Sequence, residues 1–359
     1  MFTDEEIKNV VSEVIMGLKE QKLKAVFEQQ NMEESKQIEQ IVDEVQENLN
    51  VVYRYDTTKQ EIVGKQKDIE EEKTVINQIV LIGDTHCGSR LGLCSPNKMM
   101  LDCGTYIEPS EKQIKMYEKW RFFWDDWIPK RTKGEPFAIG FMGDINDGCP
   151  YNSKTGFSNN INDQKHIAEE VLLPELDKAS ACFFVSGIES HTGKSGEEEE
   201  NIVEFLGKQT GNIKQSKEGR YAPHEWWVKI GGQDGALIHM MHHIGVTGVS
   251  HYQTSAITKE VTELMIAAQK WNEQHPDIVV RGHRHTSCRI GVTSANGGAI
   301  GFITPAWQLK TPFAYKTPGG RVMLPEIGGG YAKHGDVVHH YLDSITWGVK
   351  RDEPYIITV

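Results

Sequence analysis

Four short segments carry residue types that could grip metal ions. They are Gly83-Asp84-Thr85-His86, Gly143-Asp144-Ile145-Asn146-Asp147, His242-His243 and Gly282-His283-Arg284-His285. Each follows a short apolar run. A Gly-Asp pair or a paired histidine is common by chance, and an isolated Asp after a strand is often a helix cap. Four such segments in this order are not easily produced by chance. They mix hard carboxylate oxygen with imidazole nitrogen, a set suited to Mn²⁺, Fe, Zn²⁺ or Ni²⁺ rather than to Ca²⁺ or Mg²⁺ alone. A fifth segment, Gly187-Ile188-Glu189-Ser190-His191, again follows an apolar run and offers a carboxylate and an imidazole two apart. Buried without partners, such groups are costly, so a cation or anion partner is expected there. His166, His224, His251, His275, His334, His339 and His340 lack this context and read as surface or structural residues.

The apolar runs are the elements that must position these groups. Ile79–Ile82, Phe137–Met142, Ala181–Val185, Ala236–Met241 and Asp277–Val280 read as strands, the first as one buried on both faces. Helical patterns lie between several of them, at Ser110–Trp127, His166–Ala179, Glu198–Leu206 and Ile257–Glu273. Alternating strands and helices predict an α/β sheet, whose sites gather beyond the carboxyl ends of strands. Asp84 and His86, like His283 and His285, are two apart, so an extended segment would present both to one side. Beyond Arg289 the chain is strand-like at Ala299–Ile303, Val337–Leu342 and Tyr355–Val359, which predicts a second sheet.

Residues 1–75 read as a separate appendage, and 76–359 as the main domain. Thr3 and Glu6 form a capping-box signature, and Ile7, Val10, Val11, Val14, Ile15 and Leu18 fall at helical spacing. A second helix is expected at Met32–Leu49, then a hairpin from Val51–Tyr55 and Glu61–Val63. The appendage holds 18 Asp/Glu against 10 Lys/Arg, a net −8, and the rest holds 33 against 29, a net −4, giving −12 in all. That balance lacks the basic footprint of a duplex-DNA binder, and it leaves the helices as a solvated arm or as a dock for a protein partner or a second copy. The six cysteines form no CxxC pair and read as reduced thiols; Cys87, Cys94 and Cys103 match no common zinc spacing. No apolar stretch has the length of a membrane span, and the start is acidic. A cytoplasmic protein is expected.

In motif order the chain resembles the calcineurin-like metallophosphoesterase superfamily, whose pattern is GDxH, GDxxD, GNH, a strand-end His, then GHxH. The resemblance covers about residues 78–310. In detail it is closest to metallophosphoesterases of phages and prophages, through His86-Cys87-Gly88-Ser89, GIESHTG, His242-His243-Ile244-Gly245 and Thr304–Lys310. It implies a four-layer α-β-β-α sandwich of two mixed sheets. It also implies two divalent metals, Mn foremost, with Asp84, His86, Asp144 and His285 on the first and Asp144, His242 and His283 on the second. Asp144 would be the bridge, and Asp147 and His243 would support the ligands. GIESH stands where GNH is expected, so Glu189 would supply the missing ligand and His191 the catalytic imidazole. No Arg follows Asp147, unlike the Ser/Thr protein phosphatases. Trp307 and Gln308 are expected to line the substrate cleft. The activity implied is phosphoester hydrolysis, on phosphodiesters such as nucleic acid or nucleotides first and on phosphomonoesters second, through in-line attack by an activated water. A metal-stabilised scaffold that has lost turnover is the alternative favoured by GIESH.

Overall fold

The computed structural model describes residues 51–56, 61–66, 74–149, 155–245, 252–294, 297–317, 321, 323–335 and 340–349. The chain divides into two units, Met1–Thr74 and Val75–Val359. In the first, β1 (Val51–Asp56) pairs antiparallel with β2 (Glu61–Gln66), the hairpin expected there. The helices expected over residues 1–48, and the strand expected at Tyr355–Val359, lie outside the described residues.

The second unit begins with β3 (Gln78–Ile82) and a small ribbon of β4 (Met99–Met100) and β5 (Tyr106–Ile107). Helix α1 (Glu111–Phe122) follows, opened by a capping box in which Ser110 and Gln113 satisfy each other's backbone N–H groups. A π-helical turn (Phe123–Trp127) and α2 (Ile128–Thr132) continue it. Next come β6 (Ala138–Phe141), α3 (Ile161–Leu176), β7 (Ala181–Phe184), the single turn α4 (Glu189–Thr192) and α5 (Glu197–Thr210). The remainder is β8 (Glu225–Ile230), β9 (Ala236–Met241), α6 (Gln253–Trp271), β10 (Ile278–Arg281), β11 (Cys288–Ser294), β12 (Gly297–Ile303), β13 (Glu326–Lys333) and β14 (Tyr341–Gly348).

Two mixed five-stranded sheets result, ordered β14-β13-β3-β6-β7 and β11-β12-β10-β9-β8. Strands β3, β6 and β7 run parallel, as do β9, β10 and β12; β13, β14, β8 and β11 are antiparallel additions. The sheets bury a shared layer that includes Ile79, Leu81 and Met142 from one and Ile238, Met240 and Val280 from the other. The opposite face of the first sheet, with Val80, Ile82, Ile139 and Phe141, packs on Trp120, Trp124, Ile167 and Val171 of the helices. Helix α6 covers the far face of the second sheet through Ile257 and Val261. The architecture is therefore a four-layer α-β-β-α sandwich. Each apolar side chain fully buried in it contributes about 1.5–3 kcal/mol. No described helix is long and apolar enough to cross a membrane.

Strand β13 has no apolar alternation to announce it, because Gly328-Gly329-Gly330 occupies its middle. A Cβ at Gly329 would lie 2.7 Å from the Phe123 ring, and one at Gly330 would lie 2.5 Å from the Phe302 ring. Here glycine makes room for aromatic rings on both faces of a buried strand.

Candidate metal centre

The parallel strands of both sheets deliver their C-terminal ends to one place. Asp84 and His86 follow β3, Asp144 and Asp147 follow β6, and the Gly187–His191 segment follows β7. His242 follows β9, and His283 and His285 follow β10. The loops are laced together by backbone bonds: Asp84 N–H to Gly143 O at 2.9 Å, His86 N–H to Asp144 O at 3.0 Å, and Gly282 N–H to His242 O at 3.0 Å.

The spacing of two does not act through an extended strand, as the sequence suggested. Asp84, His86, Asp144, His283 and His285 have φ of 53°, 44°, 52°, 69° and 54°. This left-handed region is uncommon for residues with a side chain, and non-glycine strain of this kind collects at functional sites. The turns fold each pair inward on itself, so that His86 Nε2 lies 4.0 Å from Asp84 Oδ1.

Three groups of donors converge, each with its ligand atoms within 4.8 Å of one another: Asp84, His86 and His285; Asp144, His242 and His283; and His86, Asp147 and His191. In the first, His285 Nε2 is 3.3 Å from Asp84 Oδ1 and 3.2 Å from His86 Nε2. In the second, His242 Nε2 is 3.2 Å from Asp144 Oδ2. The same Asp144 oxygen is 3.9 Å from His86 Nε2, so one carboxylate faces both groups. His283 N–H donates to both Asp84 carboxylate oxygens at 3.2 Å.

These residues fit a divalent cation. His242 donates its Nδ1–H to Met142 O, which leaves its buried Nε2 facing Asp144 as the nitrogen a cation would take in place of the proton held there in the metal-free protein. The Met142 carbonyl fixes the orientation of His242, as such outer contacts do for a ligating histidine. His86 turns Nδ1 toward Asp147 Oδ1 at 3.5 Å and Nε2 toward the donor group. The third group therefore reads as the support of His86. Asp147 is held in turn by Gln308, whose Nε2 donates to Asp147 Oδ1 at 3.2 Å.

The charges respond to this crowding. Burial opposes ionisation of Asp144, yet His242 and His191 hold its carboxyl well below the ordinary range. Asp84 is lowered too, burial being outweighed by His242 and His285. Burial pushes the His242 imidazole down, but Asp144 and Asp84 lift it to about 10. His283 has no such pairing, and burial with the His242 charge depresses it to about 3. Burial and His191 lower His86.

Two expected roles need correction. Glu189 is exposed at the start of α4 and belongs to none of the three groups. Its neighbour Ile188 instead donates a backbone N–H to Asp144 Oδ1 at 2.9 Å. Trp307 does not line a cleft; it is 0% exposed, with its ring 4.8 Å from Trp120 and 5.9 Å from Phe123. Gln308 is buried as well and acts on Asp147. His243 is exposed and lies 5.1 Å from the His283 ring. The His191 ring sits 4.5 Å from His86, with Nδ1 donating to Asp147 O at 2.7 Å.

One residue of the site went unread in the sequence. Glu199 of α5 is fully buried and accepts from Ile145 N–H at 2.9 Å and from Gly187 N–H at 2.6 Å. Burial and the Asp144 charge raise its carboxyl to about 8. It sits in the run Glu197–Glu200, which resembles any solvated acidic helix start.

No family model matches this sequence, and no curated protein matches it either. Among solved structures, the chain is similar to Vps29 of Chaetomium thermophilum at 9% identity and TM-score 0.32, covering 78% of this chain and 100% of that one. It is similar to a Thermotoga maritima protein solved by NMR at 9% identity and TM-score 0.29, covering 76% and 100%. It is also similar to the sulfate thiohydrolase SoxB of Thermus thermophilus, solved with glycerol, at 11% identity and TM-score 0.34, covering 75% of this chain and 56% of that one.

Proposed function

We propose that the unit Val75–Val359 is a metal-dependent phosphoesterase of the calcineurin-like type, acting first on phosphodiesters. The observation that carries this reading is Asp144, whose one carboxylate faces His242 on one side and His86 on the other. Asp84, His86, Asp144 and His285 would hold one divalent cation, and Asp144, His242 and His283 a second, with manganese the first choice. Divalent ions there supply Lewis acidity toward a phosphoryl group and toward an attacking water. The chain's own part is to hold the donors and to handle one proton. His191 spends Nδ1 on Asp147 O, which orients Nε2 as the nitrogen for a phosphate oxygen or a leaving alkoxide. Its side chain is 17% exposed, so a substrate can reach it. Asp147 and Gln308 keep His86 in register.

The test is hydrolysis of bis-p-nitrophenyl phosphate and p-nitrophenyl phosphate with added Mn²⁺, alongside metal counting. Two manganese ions per chain and faster diester than monoester turnover are expected, with Asp144→Asn inactive. Single- and double-stranded DNA and RNA then test nuclease action, at several salt concentrations. One observation favours a second reading, a metal-stabilised scaffold: Glu189 stays exposed, so the Asp144 group has three protein donors. Two bound ions with no turnover on any phosphoester would select it.

A further inference from the structure

We infer that Glu199 is a positioning residue for Asp144, a carboxyl clamp that fastens the loop after β6 to the loop after β7; this rests on the metal-site reading above. The regular ladder between the two strands ends at Phe141 and Phe184, with Val185 N–H to Phe141 O at 3.0 Å as its continuation. Beyond that rung the loops need other ties. Glu199 Oε1 takes the N–H of Ile145, the residue directly after Asp144. Its Oε2 takes the N–H of Gly187, directly before Ile188. Ile188 in turn donates to Asp144 Oδ1 at 2.9 Å. One side chain therefore fixes the backbone on the near side of Asp144 and the backbone that grips its carboxylate.

Two further features make this clamp specific. Asp144 sits at φ 52°, a conformation that the surroundings must impose. Gly187 packs so close to Asp144 that a Cβ there would collide with Oδ1, so the two loops have little slack. Both Glu199 oxygens act as acceptors, at 2.9 Å from Ile145 N and 2.6 Å from Gly187 N. A glutamine has a single side-chain carbonyl and must leave one of these two N–H groups without its acceptor.

The experiment compares wild type, Glu199→Gln and Glu175→Gln. Glu175 is a similarly buried glutamate on α3, paired with Arg121 and Lys178, and serves as a control for replacing a buried carboxyl group by an amide. Hydrogen exchange on the metal-free proteins is read at Ile145 and Gly187. In wild type both amides should exchange as slowly as the ladder amides of β6; in Glu199→Gln at least one should exchange at least tenfold faster, with β10 and β12 unchanged. Manganese binding, followed by calorimetry and by the electron paramagnetic resonance signal of coupled ions, should weaken at least tenfold for one ion in Glu199→Gln and not in Glu175→Gln. Loop-like exchange at both amides in wild type would overturn the clamp, and this reading needs no variant to fold. So would Glu199→Gln binding manganese as wild type does, or Glu175→Gln weakening it as much. A wild type that exchanges as expected but binds no manganese would overturn the metal reading and the positioning role that rests on it, while leaving the loop fastening itself in place.

Discussion

Replacing Asp144 with Asn removes the charge around which the site's electrostatics are organised. His242 Nε2 lies 3.2 Å from Asp144 Oδ2, and both side chains are buried. In the metal-free protein that neighbourhood lifts His242 from an ordinary 6.5 to about 10, against the burial that opposes it. At 1.36 kcal/mol per pH unit, the gap corresponds to a preference for the imidazolium of about 5 kcal/mol. Asp144 is lowered by the same attraction, so the pair titrates as a unit and the energy counts once. In Asp144→Asn, burial remains while only Asp84 and the Met142 carbonyl still favour the charged ring, so His242 should titrate well below its wild-type value. The assay is histidine NMR in chelator-treated wild type and variant from pH 5 to 10.5. The sign for stability follows from proton linkage. A base with a raised folded pKa contributes fully below 6.5 and loses that contribution as pH rises through about 10. Wild-type unfolding free energy should carry this downward contribution across that window, and the variant should lack it. Binding a cation to His242 must expel the same proton, so manganese binding near pH 8 should release about one proton in wild type, read by calorimetry in two buffers. A variant whose His242 still titrates above 9 would refute the pairing.

Other outcomes follow from the same packing. Glu199 is raised from 4.5 to about 8, so the metal-free folded protein binds its proton more tightly than the unfolded chain does; stability should fall as pH rises across that window, by at most about 5 kcal/mol. The wild-type minus Glu199→Gln difference in urea unfolding at pH 5 and 8 isolates this from the opposite slope of His283, depressed to about 3. Trp307→Ala should cost about 3–5 kcal/mol by denaturant unfolding, as a core truncation does, and leave KM for a diester within about twofold. Of the six free thiols, exposed Cys103 and Cys149 should react quickly with a disulfide reagent, while Cys87, Cys94, Cys182 and Cys288 stay silent until unfolding. Cys87 is the clearest case, burial pushing its thiol up to about 12.

The parts legible in the sequence are those written in consecutive residues. An apolar run ending in Gly-Asp or Gly-His marks a buried parallel strand and the turn beyond it, as before Asp84, Asp144 and His283; with the run before His242, four strand ends bring Asp84, His86, Asp144, His242, His283 and His285 together. The two-residue spacing acts through left-handed turns and not through an extended segment. What stayed hidden depends on contacts between distant stretches. Glu197, Glu198, Glu199 and Glu200 are chemically alike in the sequence; only the orientation of α5 against the β6 and β7 loops buries the third and leaves the first exposed. Glu189 stands in a segment expected to ligate, yet the backbone of Ile188, which any residue but proline could supply, makes the contact to Asp144. Trp307 sits one residue from Gln308, and its backbone N–H bonds to Asp84 O at 2.9 Å, so proximity to the site along the chain is real. Its ring nevertheless turns into the Trp120 and Phe123 cluster, because β13 between Phe123 and Phe302 leaves aromatic volume to fill there. Motif reading finds donors that chemistry restricts to a few residue types. It misses the groups that hold those donors still, because a backbone N–H or one glutamate of four carries no signature until the fold selects it.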